Sequence, residues 1–195
     1  MGRVSQAQAE ENRRRVVDTA SRLFREQGTH ISVADLMKAA GLTHGGFYKQ
    51  FASKDALIGE ATAHAFEGLT RQRDDGLEQY GGQREAAQRA LIDAYLSTEH
   101  RDSPADGCPA AALAADMARE PEDREARRVY TEGVGDFAEW LATEDTEGEE
   151  GADGLTRLCT MLGALVLARA TKGSPLSDQI LAAAREALTV DQQGA

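Results

Sequence analysis

Apolar residues at three- and four-residue spacing, cut into short lengths by glycine and proline, limit the fold of this chain more than any other feature. Val16, Val17, Ala20, Leu23 and Phe24 fall on one face of a helix predicted from about Glu10 to Gln27. Gly28 ends it in the manner of a helix C-cap. Ser32 is a good N-cap for a second, short helix, with Asp35 three residues on as an imperfect capping box and Val33, Leu36 and Met37 as the inward stripe. Gly41 breaks that helix, because a tight turn needs a residue that tolerates positive φ. Thr43 then caps a third helix through about Phe51, and Ser53 a fourth, with Asp55 in its first turn, reaching Asp74-Asp75-Gly76.

The pattern continues past the loop at Tyr80-Gly81-Gly82-Gln83. A fifth helix is predicted from about Arg84 to Thr98, followed by a polar segment from Glu99 to Gly107. A sixth starts at Pro109 and stops before Pro121, since proline suits the first turn of a helix and disfavours helix just before it. A seventh runs from about Glu122 to Thr143, and the acidic tract Glu144 to Gly154 reads as a mobile loop. An apolar eighth helix, Leu155 to Thr171, and a ninth, Leu176 to Leu188, complete the chain, whose last residues read as frayed. No segment shows sustained strand alternation, so the expected fold is all-α with about nine helices. The chain divides into a three-helix unit over residues 1–54 and a larger helical unit over residues 55–195.

Two short helices joined by a tight glycine turn, after a longer first helix, make the helix-turn-helix arrangement; an ordinary helical hairpin is the plain alternative. In a helix-turn-helix the third helix enters the major groove with its N-terminal residues, here Thr43, His44, Gly45 and Gly46, at base edges. The net charge of −11 argues against a nucleic-acid partner until the chain is divided. Residues 1–54 hold nine Lys and Arg against five acids, a balance of +4, and the remainder stands at −15. A basic head on an acidic body is therefore expected.

The run Gly41-Leu42-Thr43-His44-Gly45-Gly46-Phe47-Tyr48-Lys49-Gln50-Phe51, continued by Ser53-Lys54-Asp55-Ala56-Leu57, resembles the recognition signature of the TetR/AcrR transcriptional regulators. Ala20, Leu23-Phe24, Gly28 and Ser32-Val33-x-Asp35-Leu36 agree with it upstream, over roughly residues 10–60. The usual Thr-x-x-x-Ile-Ala stands here as Ser32 to Met37, a mild departure. The resemblance implies a regulator, commonly a repressor, that binds double-stranded operator DNA as a homodimer and is released by a small-molecule effector. It implies backbone contacts from Ser32, Tyr48 and Lys54, and a phosphate or base contact from Thr43. Lys49, beside Tyr48 on the outward face, is a further phosphate candidate, and His44 the first candidate for base reading. Phe47 and Phe51 should face inward. Arg13, Arg14 and Arg15 form either an auxiliary DNA arm or a solvated basic face.

In such regulators the remaining helices form a ligand-binding and dimerisation body. Leu158, Leu162, Leu165 and Val166 of the eighth helix, with Leu176, Ile180 and Leu188 of the ninth, are the expected dimer contacts; filling of a monomeric core is the alternative. Two half-sites about one DNA turn apart also call for a two-fold dimer. Tyr95, Met117, Tyr130, Phe137, Trp140 and Met161 are candidates for an apolar effector pocket, or for plain core. Cys108 immediately precedes a helix start whose positive end would favour thiolate, which makes it either a redox or electrophile sensor or a structural residue. Cys159 reads as a buried small hydrophobe.

Other classes fare worse. A cysteine-dependent enzyme needs a base, and His30, His44, His64 and His100 give no pairing with Cys108 and no metal-ligand spacing. No cofactor, no metal and no catalytic residue is expected. The chain lacks an apolar leader and any run of about 18 apolar residues, so it reads as a cytoplasmic protein with no membrane partner.

Overall fold

The computed structural model describes residues 6–143 and 152–190. Its helices are α1 (Gln6–Gln27), α2 (Val33–Ala39), a short 3-10 helix (His44–Lys49), α3 (Lys54–Gln79), α4 (Arg84–Tyr95), α5 (Thr98–Asp102), a 3-10 turn (Pro104–Asp106), α6 (Pro109–Met117), α7 (Glu125–Leu141), α8 (Ala152–Ala170) and α9 (Pro175–Val190). The fold is all-α, and no strand occurs among the described residues. The acidic tract read as a loop lies outside them from residue 144 to 151, as does the chain end after residue 190.

Three boundaries differ from expectation for local reasons. The predicted third α-helix is a 3-10 helix, closed by Gly46 N–H to Thr43 C=O at 2.9 Å and Gln50 N–H to Phe47 C=O at 2.8 Å. Thr43 gives it no side-chain cap, and adjacent glycines each lower α propensity by about 1 kcal/mol, so the tighter turn wins over so short a span. The predicted fifth helix ends early, at Tyr95. Ser97 then accepts the His100 N–H at 3.1 Å and starts α5 inside the segment read as irregular.

Gly28 (φ 84°) and Gly41 (φ 70°) turn the chain where the sequence placed its breaks. Phe24, Leu36, Met37, Phe47, Phe51 and Leu57 then close around α1 as one apolar core. Its floor comes from far along the chain: Leu113 and Met117 of α6 and Ala126 of α7 belong to the same cluster. A second core, with Phe66, Ile92, Tyr95, Phe137, Leu141, Met161 and Leu165, joins α3, α4, α7 and α8. Helices α3 and α7 approach so closely at Gly133 that an added Cβ would overlap the Phe66 ring.

Candidate nucleic-acid interface and ligand cavity

The reading element owes its orientation to two buried phenylalanines. Phe47 (0% exposed) and Phe51 stack at 5.4 Å beneath the 3-10 helix and fix its inner face. The outer face then carries Thr43, His44, Gly45, Tyr48 and Lys49, all exposed, with Gly46 partly covered. Tyr48 is 68% exposed, an unusual position for so large a ring, and meets His44 edge-on at 6.3 Å. No atom lies within 4 Å of where a Gly45 Cβ would stand, so that backbone is open to a close partner.

The flanking candidates differ in availability. Lys54 opens α3 under its Ser53 cap, and partial burial holds its ammonium below the usual lysine range against the opposing pull of Asp55, Asp116 and Glu120. Ser32 caps α2 by accepting the Asp35 N–H, and its hydroxyl donates to the Asp35 carboxylate at 2.6 Å. That hydroxyl is therefore committed, with a negative charge beside it. Arg13 is also committed, paired through both guanidinium nitrogens with Glu60 at 2.5 and 2.6 Å and lying 4.7 Å over the Phe51 ring. It is a strut between α1 and α3, whereas Arg14 and Arg15 are exposed.

A cavity of about 760 Å³ opens where α1, α3, α4 and the start of α6 meet. Its walls include Ala65, Leu69, Leu91 and Tyr95, and its rim Arg25, Glu99 and Asp106. Of the six residues read as effector contacts, Tyr95 lines this cavity. Met117 sits instead in the core below the reading element, because α6 turns that face toward α1. Phe137 and Met161 are fully buried in the body core, and Trp140 packs against it with Arg73 5.8 Å above its ring. Tyr130 donates its hydroxyl to the Ala110 carbonyl at 2.7 Å, and burial pushes its pKa up to about 12. Sequence reasoning missed Arg25 and His100 as cavity residues, since nothing in the spacing joins α1 to α5.

Cys108 reverses the sequence argument. It is buried, and burial pushes its thiol up; the Ala111 and Ala110 N–H groups at the helix start and the Tyr95 hydroxyl pull the other way and lose. Cys159, expected inside, is exposed. His100 is held by two opposite bonds: its Nδ1 meets the Tyr95 carbonyl at 2.7 Å and its Nε2 accepts the Cys108 N–H at 3.2 Å. The two bonds together require a neutral ring, and burial lowers its pKa.

On α8 and α9 the apolar residues separate into two sets. Leu158, Leu165 and Leu188 are buried within the protomer, because their face of each helix turns to the body core. They are not free to meet a partner chain. Leu162 and Ile180 are partly buried, while Val166 (47%) and Leu176 (49%) are exposed. Leu155 (52%) and Leu167 (55%), outside the expected set of dimer contacts, are exposed with them. No helix among the described residues is long and apolar enough to cross a membrane.

The family model for bacterial regulatory proteins, tetR family, matches residues 16–61. The HTH-type transcriptional regulator AcrR of Shigella flexneri is 39% identical over 61 residues, 31% of this chain and 28% of that protein. The aligned part thus spans under a third of that curated relative. Over the whole chain, a TetR transcriptional regulator from Chloroflexus aurantiacus superposes with a TM-score of 0.77 at 23% identity, covering 97% of this chain and 98% of its own. Reduced E. coli NemR superposes with a TM-score of 0.75 at 18% identity, covering 92% and 96%. At these identities the two structures establish a common fold, and the N-terminal match assigns residues 16–61 to the tetR family model. Residues 16–61 thus form a tetR-family helix-turn-helix, carried on a helical body that shares its fold with TetR-family transcriptional regulators.

Proposed function

We propose that the chain is a dimeric repressor that binds double-stranded operator DNA through residues 1–54 and is released when a small molecule enters the body formed by residues 55–195. The buried Phe47 carries this reading: it turns Thr43, His44, Gly45, Tyr48 and Lys49 outward together on an otherwise strongly acidic protein. His44 and Thr43 read base edges, and Tyr48, Lys49 and Lys54 hold phosphates, which sets register. The protein is a regulator rather than an enzyme, acting in the cytoplasm where its operator lies.

Dimerisation uses the outward faces of α8 and α9, with Leu155, Val166, Leu167 and Leu176 replacing the buried Leu158, Leu165 and Leu188 as the contacts. A mobility-shift assay with DNA from upstream of the gene should give one complex that resists scrambled competitor. Leu176→Glu places a charge on the exposed face without touching the core. It should yield monomers in sedimentation and weaken the complex by about a hundredfold, since both half-sites are then no longer engaged together. A Leu176→Glu protein that stays dimeric and binds normally places the interface elsewhere.

A thiol-responsive variant of this reading draws on Cys108, which lines the cavity, and on the fold shared with reduced NemR. Burial keeps Cys108 protonated, so N-ethylmaleimide should modify it on the order of tenfold more slowly than a free exposed thiol at neutral pH. Mass spectrometry of timed samples measures this. Fast modification accompanied by DNA release, both lost in Cys108→Ser, would make the thiol the sensor.

A further inference from the structure

Arg25 is a half-buried guanidinium that makes no ion pair among the described residues. Its Nε donates to the Ser21 carbonyl and its Nη1 to the Gly107 carbonyl, both at 3.1 Å, and no described residue takes Nη2. Asp106, the acid that acts on it most strongly, is engaged by Arg22, and Glu99 stands exposed at the rim. The cavity holds a second donor. Tyr95 is 6% exposed, and its buried hydroxyl meets no nitrogen or oxygen acceptor, only the weakly accepting sulfur of Cys108. The two donors adjoin the same short stretch of chain, since Arg25 bonds Gly107 and the Tyr95 hydroxyl lies against Cys108. Between them the wall is apolar, made by Ala65, Leu69 and Leu91.

A guanidinium edge with no acceptor and a buried phenol with only a thiol sulfur beside it, both on one apolar cavity, match one ligand chemistry. We propose that the cavity binds a small organic carboxylate, its anionic head on Arg25 Nη2 and the Tyr95 hydroxyl and its hydrocarbon body against Leu69 and Leu91. Charge-assisted bonds from a planar guanidinium suit a carboxylate above any neutral acceptor. The site also joins the two ends of the molecule. Arg25 belongs to α1, which packs on the reading element, and its bond to Gly107 together with the Arg22–Asp106 pair fastens α1 to the turn before α6. A ligand carboxylate on Nη2 that draws the guanidinium into the cavity pulls Nη1 away from the Gly107 carbonyl and loosens this clasp. That step rests on the reading of the chain as an effector-released repressor; the binding step does not.

Calorimetry on the DNA-free full chain with octanoate and 4-phenylbutyrate, each against its primary amide, tests the binding step. The carboxylates should bind at least about tenfold more tightly than the amides. Arg25→Gln should remove that preference, and Tyr95→Phe, which keeps the packing, should weaken carboxylate binding about fivefold. Melting curves of the ligand-free variants report folding, so Tyr95→Phe decides the matter if Arg25→Gln does not fold. Amides binding as well as acids, no binding of either acid, or a Tyr95→Phe protein that binds as wild type overturns the proposal. Fluorescence polarisation of a labelled operator duplex then tests the coupling. Carboxylate binding without DNA release leaves the site standing and removes the clasp as the route by which DNA is released.

Discussion

Raising the salt concentration from 50 to 200 mM should weaken operator binding by about a hundredfold. With Lys49 and Lys54 on phosphates, a two-fold dimer brings about four ammonium groups to the DNA. Each neutralised phosphate contributes about −0.9 to the slope of log affinity against log salt, giving roughly −4 in total. A fourfold rise in salt then costs about two powers of ten. Lys49→Gln should flatten the slope by roughly 2, because both protomers lose a contact. The acidic remainder, at −15, repels DNA from every other face, so the same titration on a non-operator duplex should start from much weaker binding. A slope near zero on the operator would falsify the assignment of these lysines to phosphates.

Phe47→Ala should destabilise the protein by about 3–5 kcal/mol, the usual cost of removing a fully buried phenylalanine and leaving its cavity. For a chain of this length, that lowers Tm by on the order of 10 °C. Operator binding should fail at temperatures where the variant is still folded. The 3-10 helix has no side-chain cap and two glycines, so stacking of Phe47 on Phe51 is what holds its outward residues in place. Phe47→Leu refills part of the volume and should recover most of the stability but less of the binding. Thermal melts alongside polarisation titrations separate the two effects. A Phe47→Ala protein that binds normally would mean the element is held by something other than this stack.

The reading element was legible because its inward and outward residues alternate over a few positions: Phe47 and Phe51 lie inside, Tyr48 and Lys49 outside, as their chemistry demands. The helix type was not, because a six-residue span with two glycines is decided by tertiary packing rather than by propensity. Cys108 misled for a related reason. The sequence shows the helix start that favours thiolate, but not the burial that outweighs it. From Met161 to Ala168 every position of α8 is apolar or small, so periodicity there cannot tell the face toward the core from the face left open. Leu165 and Val166 are neighbours in sequence, yet one is fully buried and the other half exposed. Arg25 was invisible as a cavity residue, since its bond to Gly107 joins positions 82 residues apart.

The floor of the N-terminal core has a consequence for how such regulators can be recombined. Leu113 and Met117 are about 2% exposed and pack beneath Phe24, Leu36 and Met37 although they lie far beyond the reading head in sequence. A chimaera that joins residues 1–54 to another regulator's body leaves that underside facing whatever side chains the new scaffold offers. Exchange of operator specificity between relatives therefore has to carry the matching face of α6 with the head. A graft of the head alone inherits the residues proposed to read bases without the surface that packs beneath them.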